Sequence, residues 1–396
     1  MSIYRLFLNI MIINSFISLT NRFYPTSLPL GKIIGFAQII MIMIIYLKTL
    51  KRADLFFLLY LVIFDFMAIL MLYEPSIDIE NIIFFTSTCA LLWKFSEPQV
   101  RLKLKIEVNL MQKNLYRAAT FLLFIGTIGL VFSGCWKIVN GQKVYFAFCE
   151  SGHKLSGNMC FVAMLYLLYF LDKKFKIVHL IYFLLPFFII SLTGSRTYLV
   201  SYLVVLIVLY IKKLRNYNLK LLLMPILLCM LVYFLFNSTI INRFFLMGAN
   251  QYISDNFWEA TSSGRLIWWE IDIKTFLEFD LINKLFGKGF SFLYNLNLML
   301  YGLKISAHND FITLLVSSGL FGLSGYSIIL FRWLFKKDLN GNCTLIALIL
   351  SGGMYLWNAM ISGVFGAQQY IFANILLGVI LLEDSFGNTV RRKNGI

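Results

Sequence analysis

The chain has 396 residues, 60% of them hydrophobic and only 14% charged, and it carries a formal net charge of +16. Soluble domains hold about 25% charged residues, so a chain this apolar would expose more greasy surface than water tolerates, and lipid must be its solvent. Nucleic acid is excluded as the reason for the positive charge, because Lys and Arg are spread over many short polar breaks and form no single stripe.

Runs of roughly 20 apolar residues, the length that crosses the hydrocarbon layer, predict about twelve transmembrane helices. They fall at residues 3–19, 31–47, 55–73, 81–93, 118–133, 158–171, 177–192, 198–211, 219–236, 307–330, 343–361 and 370–382. The first run does not read as a signal peptide: Asn9 and Asn14 interrupt it, and no small-residue cleavage site follows. Between the third and fourth runs, Glu74-Pro75-Ser76-Ile77-Asp78-Ile79-Glu80 is acidic. Residues 100–110 alternate apolar and polar side chains, a period-two pattern. The expectation there is a basic segment lying on anionic headgroups rather than a strand. The break at 134–157 holds Cys135 and Cys149, which an oxidising compartment would permit to pair. The break at 237–306 spans 70 residues and is rich in Trp, Phe, Leu and Ile, so it is expected to fold over the membrane surface.

Lys and Arg placement orients the chain. With the N-terminus in the cytoplasm, 23 of the 35 basic residues fall on the inner side, and half of the rest lie in the one long loop, where the rule is weak. The expected architecture is therefore an all-α polytopic membrane protein, one transmembrane domain over 1–396 with both termini cytoplasmic. Its large, partly helical extracytoplasmic loop, 237–306, joins helices 9 and 10.

No phosphate-binding glycine loop, dinucleotide fingerprint or zinc-spaced Cys/His cluster is present. Of the three histidines, His179 reads as structural and His153 as a solvated residue of a short outer loop. His308 differs, because Ser306-Ala307-His308-Asn309-Asp310 lies where the large loop re-enters the membrane, and an ionisable residue at such a mouth is a functional candidate. The alternative is an interfacial or helix-capping histidine. Asp310 is a candidate to orient the imidazole. Arg196 stands in a polar break, Thr193-Gly194-Ser195-Arg196-Thr197. Arg265 follows Ser262-Ser263-Gly264 and precedes an amphipathic pattern of Leu266, Trp269, Ile273 and Phe276, so it is expected in the first turn of a helix. A cation there opposes the helix dipole, and a bound anion would relieve it. Headgroup snorkelling is the alternative for each arginine. Two arginines and a histidine at one membrane face suit an anionic, lipid-linked substrate. Glu270 and Asp272, two residues apart on a predicted helix, are expected to be surface charges and not metal ligands.

With these residues in place, the chain resembles the O-antigen polymerase and O-antigen ligase superfamily of bacterial envelopes. The resemblance spans roughly residues 175–334. It is carried, in order, by Thr-Gly-Ser-Arg-Thr at 193–197, Ser-Gly-Arg at 263–265, Phe-Gly-Lys-Gly-Phe at 286–290, His308-Asn309-Asp310-Phe311 with Leu314-Leu315, and Ser318-Gly319-Leu320-Phe321-Gly322-Leu323. It implies a multi-pass enzyme of the bacterial inner membrane, active in lipopolysaccharide and surface-polysaccharide synthesis. Such an enzyme is a metal-independent, cofactor-free glycosyltransferase whose donor glycan rides on undecaprenyl pyrophosphate. Arg196 and Arg265 would bind the pyrophosphate, and His308 would be the catalytic base. A flippase and a chain-length regulator are the implied protein partners, alongside membrane lipids. Polymerase and ligase differ in acceptor: another lipid-linked repeat unit for the first, lipid A–core for the second. The Phe/Ile/Lys/Asn-rich composition favours the polymerase. A flippase or other secondary transporter, the reading from a different class, would show internal repeats and midplane polar residues, and no convincing repeat is evident. A non-catalytic assembly scaffold would not need the Arg/His trio.

Overall fold

A computed structural model describes residues 2–24, 30–139, 142–171, 173–214, 265–302, 304, 306–338, 340, 343–365 and 368–382. Among these the chain is helical except for one two-stranded hairpin. The ninth predicted span, 219–236, and the large loop from 237 to 264 lie outside the described residues.

The helix starts follow from local chemistry. Ser2 caps α1 (Ile3–Thr20), its hydroxyl accepting from the Tyr4 amide at 3.3 Å. After α2 (Leu30–Lys48) and α3 (Arg52–Leu70), proline opens both α4 (Pro75–Phe95) and α5 (Pro98–Ile128). At that position its missing N–H is no loss and its fixed φ already suits a helix. The antiparallel hairpin β1 (Trp136–Val139) and β2 (Gln142–Tyr145) leads to α6 (Gly152–Phe170), capped by Ser151. α7 (Ile181–Leu192) and α8 (Arg196–Leu209) follow. From residue 265 come α9 (Arg265–Leu277), α10 (Leu281–Phe286), α11 (Phe290–Tyr301), α12 (Asp310–Leu334), α13 (Leu345–Ile361) and α14 (Gln368–Leu382).

Among the described residues, four helical stretches, Ile3–Phe23, Arg52–Leu70, Pro98–Val131 and Asp310–Leu334, are long and apolar enough to cross a bilayer, and shorter apolar helices accompany them. The protein is an all-α integral membrane protein. Its packing has the polarity expected in lipid. α3 turns Leu55, Phe56, Leu59, Val62, Phe66 and Leu70 outward. Polar side chains instead meet inside: Asn158 of α6 bonds Ser15 and Ser18 of α1, and Asn14 of α1 bonds Gln368 of α14 at 2.9 Å. Hydrocarbon offers these groups no partner, so they find one another. α6 and α14 are buried along almost their whole length, which suits helices apolar on every side.

Residues 100–110 are not a strand, as expected. They are the beginning of α5, with one face against the bundle and Lys103, Ile106 and Leu110 exposed on the other. Val100, Leu104, Val108, Met111 and Leu115 are buried on one helical face. An alternating sequence already contains every fourth residue in its apolar set, so a helix can extract a face from it. Arg101 is buried as well, donating to the carbonyls of Phe95, Ser96 and Lys337. Beside it, Lys94 is 1% exposed and bonds Asp54 at 2.7 Å, Glu97 at 3.0 Å and the Thr49 carbonyl at 2.9 Å. These bonds tie the ends of α3, α4 and α5 together.

The Phe-Gly-Lys-Gly-Phe segment has a steric cause. α12 is broken at Gly319, whose φ is +63°. A Cβ there would lie 2.5 Å from the Leu285 backbone, and one on Gly287 would lie 2.3 Å from the backbone of Ser317. The amides of Lys288 and Gly289 donate to the carbonyls of Val316 and Ser317 at 3.2 and 2.9 Å. Acceptors released by the helix break are thus satisfied by the crossing chain. On the other side Asp78, buried at the start of α4, accepts from the Ser291 amide at 2.7 Å and from the amides of Tyr73 and Glu74 at 3.0 and 2.9 Å. The acidic break of the sequence is therefore a docking point for α11.

Candidate functional site at the turn between α13 and α14

The first fixed point is Asp310, the opening residue of α12. It is buried, and both carboxylate oxygens accept from the Val364 amide, at 3.2 and 3.0 Å. Gly363 has a φ of +75°, and a Cβ on it would stand 3.0 Å from the Asp310 carboxylate. Tyr326 also hydrogen-bonds the carboxylate. Asp310 therefore holds the turn after α13, and these bonds do not run to the imidazole of His308.

That turn in turn holds the candidate residues. The last carbonyls of a helix lack intrahelical partners and carry partial negative charge. Arg265, the first residue of α9, donates to the Ile361 carbonyl. A backbone hydrogen bond links the His308 ring to Ser362. The Ser362 hydroxyl lies 2.6 Å from the Thr197 hydroxyl at the start of α8. Arg265, His308 and the 195–197 stretch are thus brought to one turn, although they are far apart in sequence. Arg196 begins α8 next to this contact; its side chain lies outside the described residues. Gly194, at φ +66°, lets the chain turn sharply between α7 and α8, and the Thr193 hydroxyl accepts from the Ser195 amide at 3.2 Å.

His308 sits in the left-handed region with φ +53°, a conformation that costs a non-glycine residue energy and marks many functional sites. Two tryptophans of α9 fix its loop. Trp269 donates to the Ala307 carbonyl at 2.7 Å, and Trp268 stacks near the imidazole with ring centres 6.5 Å apart. The Asn309 side chain caps α12, accepting from the amides of Phe311 and Ile312 at 3.0 and 3.2 Å. Burial, followed by the positive fields of Arg265 and His153, pushes the His308 pKa down from 6.5 to about 3, and the Ser362 bond opposes this. The ring is neutral at pH 7, so its lone pair is available, though weakly basic. An anion beside Arg265 would cancel part of the opposing field and restore basicity.

Other candidates fall elsewhere. His179 accepts from the Lys176 amide at 3.1 Å and stacks on Phe170, a local structural role. Glu270 is the expected surface charge, paired with Lys274 at 2.6 Å. Asp272 is not: it is fully buried between Trp268 and Phe276, with neither carboxylate oxygen bonded. The buried face of α9 is offset from the predicted one, and Leu266 and Ile273 are exposed. Among the described residues no three metal-binding side chains gather. Cys135 and Cys149 are both buried beside the hairpin and both are free thiols. His153, read from sequence as merely solvated, packs on Tyr198, the residue after the Thr197 that meets Ser362. No sequence signal marked it, since a lone His at the start of a helix has no characteristic spacing.

The family model for O-antigen ligase matches residues 181–327. The match covers 147 of the 396 residues and is consistent with the O-antigen polymerase and ligase superfamily that the sequence resembles. The matched domain contains Arg196, Arg265, the glycine contact of α10 with α12, and His308. The family covers ligase- and polymerase-type glycosyltransferases. No curated protein and no solved structure matches the chain.

Proposed function

We propose that the protein is a surface-polysaccharide polymerase of the bacterial inner membrane. It moves a glycan from undecaprenyl pyrophosphate onto a sugar hydroxyl of another lipid-linked repeat unit, without a metal. The observation that carries the reading is the meeting of Arg265, His308 and the start of α8 at the 361–365 turn. Helices α8, α9 and α12 all begin there, and helix N-termini favour a diphosphate. Arg265 is oriented by its bond to Ile361, and its planar group suits two-pronged phosphate contact. Arg196 is the second arginine of the same reading.

The reaction asks three things of the chain. The acceptor hydroxyl must lose a proton, and neutral His308 can take it. The diphosphate must leave with its charge stabilised, which falls to the arginines. Donor and acceptor must be held in line, which the rigid turn permits. A positioned base contributes about 10²–10⁴-fold. His308→Ala should leave protein abundance normal and abolish chain elongation, with single repeat units accumulating. A normal polymer ladder at normal abundance would remove His308 from the mechanism. A purely structural histidine predicts less protein with full activity per molecule. The family description favours a second reading, transfer to lipid A–core as a ligase. Purified enzyme given only lipid-linked repeat units distinguishes the two: a polymerase lengthens them, and a ligase needs lipid A–core.

A further inference from the structure

We propose that His153 is a phosphate-binding residue of this site, donating a hydrogen bond to the donor diphosphate as the glycosyl bond breaks. The inference rests on the glycan-transfer reading above. His153 is the second residue of α6 and is exposed. Its ring packs on Tyr198, 5.8 Å between centres, and Tyr198 directly follows the Thr197 that meets Ser362. The start of α6 is locked onto the 193–197 turn. A Cβ on Gly152 would stand 3.2 Å from the Thr193 carbonyl oxygen, and the hydroxyls of Ser156 and Thr193 lie 2.9 Å apart. The first turn of α6 and its imidazole are therefore held beside the first turn of α8. Through Thr197 the first turn of α8 reaches Ser362 in the 361–365 turn, where Arg265 also bonds, so the helix start that carries His153 packs against an element of the same site. The neighbouring Glu150 is paired with Lys154, so it does not present an unopposed negative charge to an incoming phosphate.

The chemistry balances without a proton from His153. The acceptor oxygen attacks the anomeric carbon and forms the new C–O bond, and its proton passes to His308. The bond from the anomeric carbon to phosphate oxygen breaks, and its electron pair stays on the diphosphate. That group gains one negative charge, and an N–H donor aimed at it is worth more after the bond breaks than before. An exposed imidazole that merely packs on Tyr198 would gain nothing from this change.

The three histidines make the test direct. The full-length protein, labelled with ¹⁵N-histidine in nanodiscs, is titrated with inorganic pyrophosphate. The resonances of His153 and His308 should move and that of His179 should not. His153→Ala should weaken pyrophosphate binding and slow chain elongation by about 10–100-fold, the range for a charge-assisted hydrogen bond. His153→Gln, which keeps a donor, should recover part of that loss. Movement of His308 alone, with unchanged turnover in His153→Ala, overturns the role of His153 and leaves the site reading intact. Movement of neither ring overturns both.

Discussion

At the scale of single residues, the candidate site is built from groups that satisfy the end of a helix, and on the proposed function they also meet an anion. Arg265 bonds the Ile361 carbonyl, a contact that lysine could also make with one donor. Lysine cannot supply the planar fork. Arg265→Lys should therefore keep the protein in the membrane at normal abundance yet lower chain elongation by about 10–100-fold, the worth of a lost charge-assisted bond. Near-normal turnover of the lysine variant would mean that Arg265 serves the turn alone. Asp272 carries a different prediction. Burial pushes its pKa up from 3.8 to about 7. The folded protein then holds a proton that the unfolded chain releases between those values, so stability falls as pH rises through that window. Asp272→Asn removes the dependence. Its melting temperature should match the parent near pH 4 and exceed it at pH 8, where roughly 1–3 kcal/mol of unpaired-group penalty is relieved. Parallel melting curves at both pH values would contradict this.

At the scale of elements, the glycines of α10 and α12 set the shape of the domain. Gly319→Ala forces a methyl group against the Leu285 backbone and should reduce abundance and melting temperature sharply, because strain of about 1–3 kcal/mol adds to the clash. Gly302 is the control: its φ is +69° but nothing lies within 4 Å of an added Cβ, so Gly302→Ala should show the strain alone. Equal losses in the two variants would argue against a special backbone contact. How far sequence reaches into such elements depends on what each one packs against. The apolar runs announce helices because lipid demands them. Gly287 and Gly319 stood out as motif letters, but only the crossing of α10 over the α12 break explains them. The 100–110 segment is ambiguous in sequence because its apolar residues fit two periods, and the neighbouring groups that bury Arg101 decide for a helix. His308 and Arg265 stood out in sequence because each lies in a polar break at the edge of an apolar run, and the structure brings Arg265 to the 361–365 turn. Two other placements were not legible: Asp310 holds a turn 54 positions away, and His153 of α6 packs on Tyr198 of α8.

At the scale of the whole molecule, sidedness is the property most open to test. Single cysteines introduced at Ile282, exposed in α10, and at Lys103, exposed in α5, should behave oppositely in spheroplasts. The first should react with an impermeant maleimide in intact cells, and the second only after the membrane is breached; the reverse order would invert the topology. The 361–365 turn has a further consequence, one of timing. Its partners Thr197, Arg265 and Asp310 precede it by 165, 96 and 54 positions. A ribosome therefore finishes the arginine and the histidine long before it makes the carbonyls that orient them. Until α13 and α14 have been translated and inserted, the nascent chain holds its reactive groups without their scaffold. On the proposed function, a half-made chain would therefore not act on donor lipid, and competence would wait for α13 and α14.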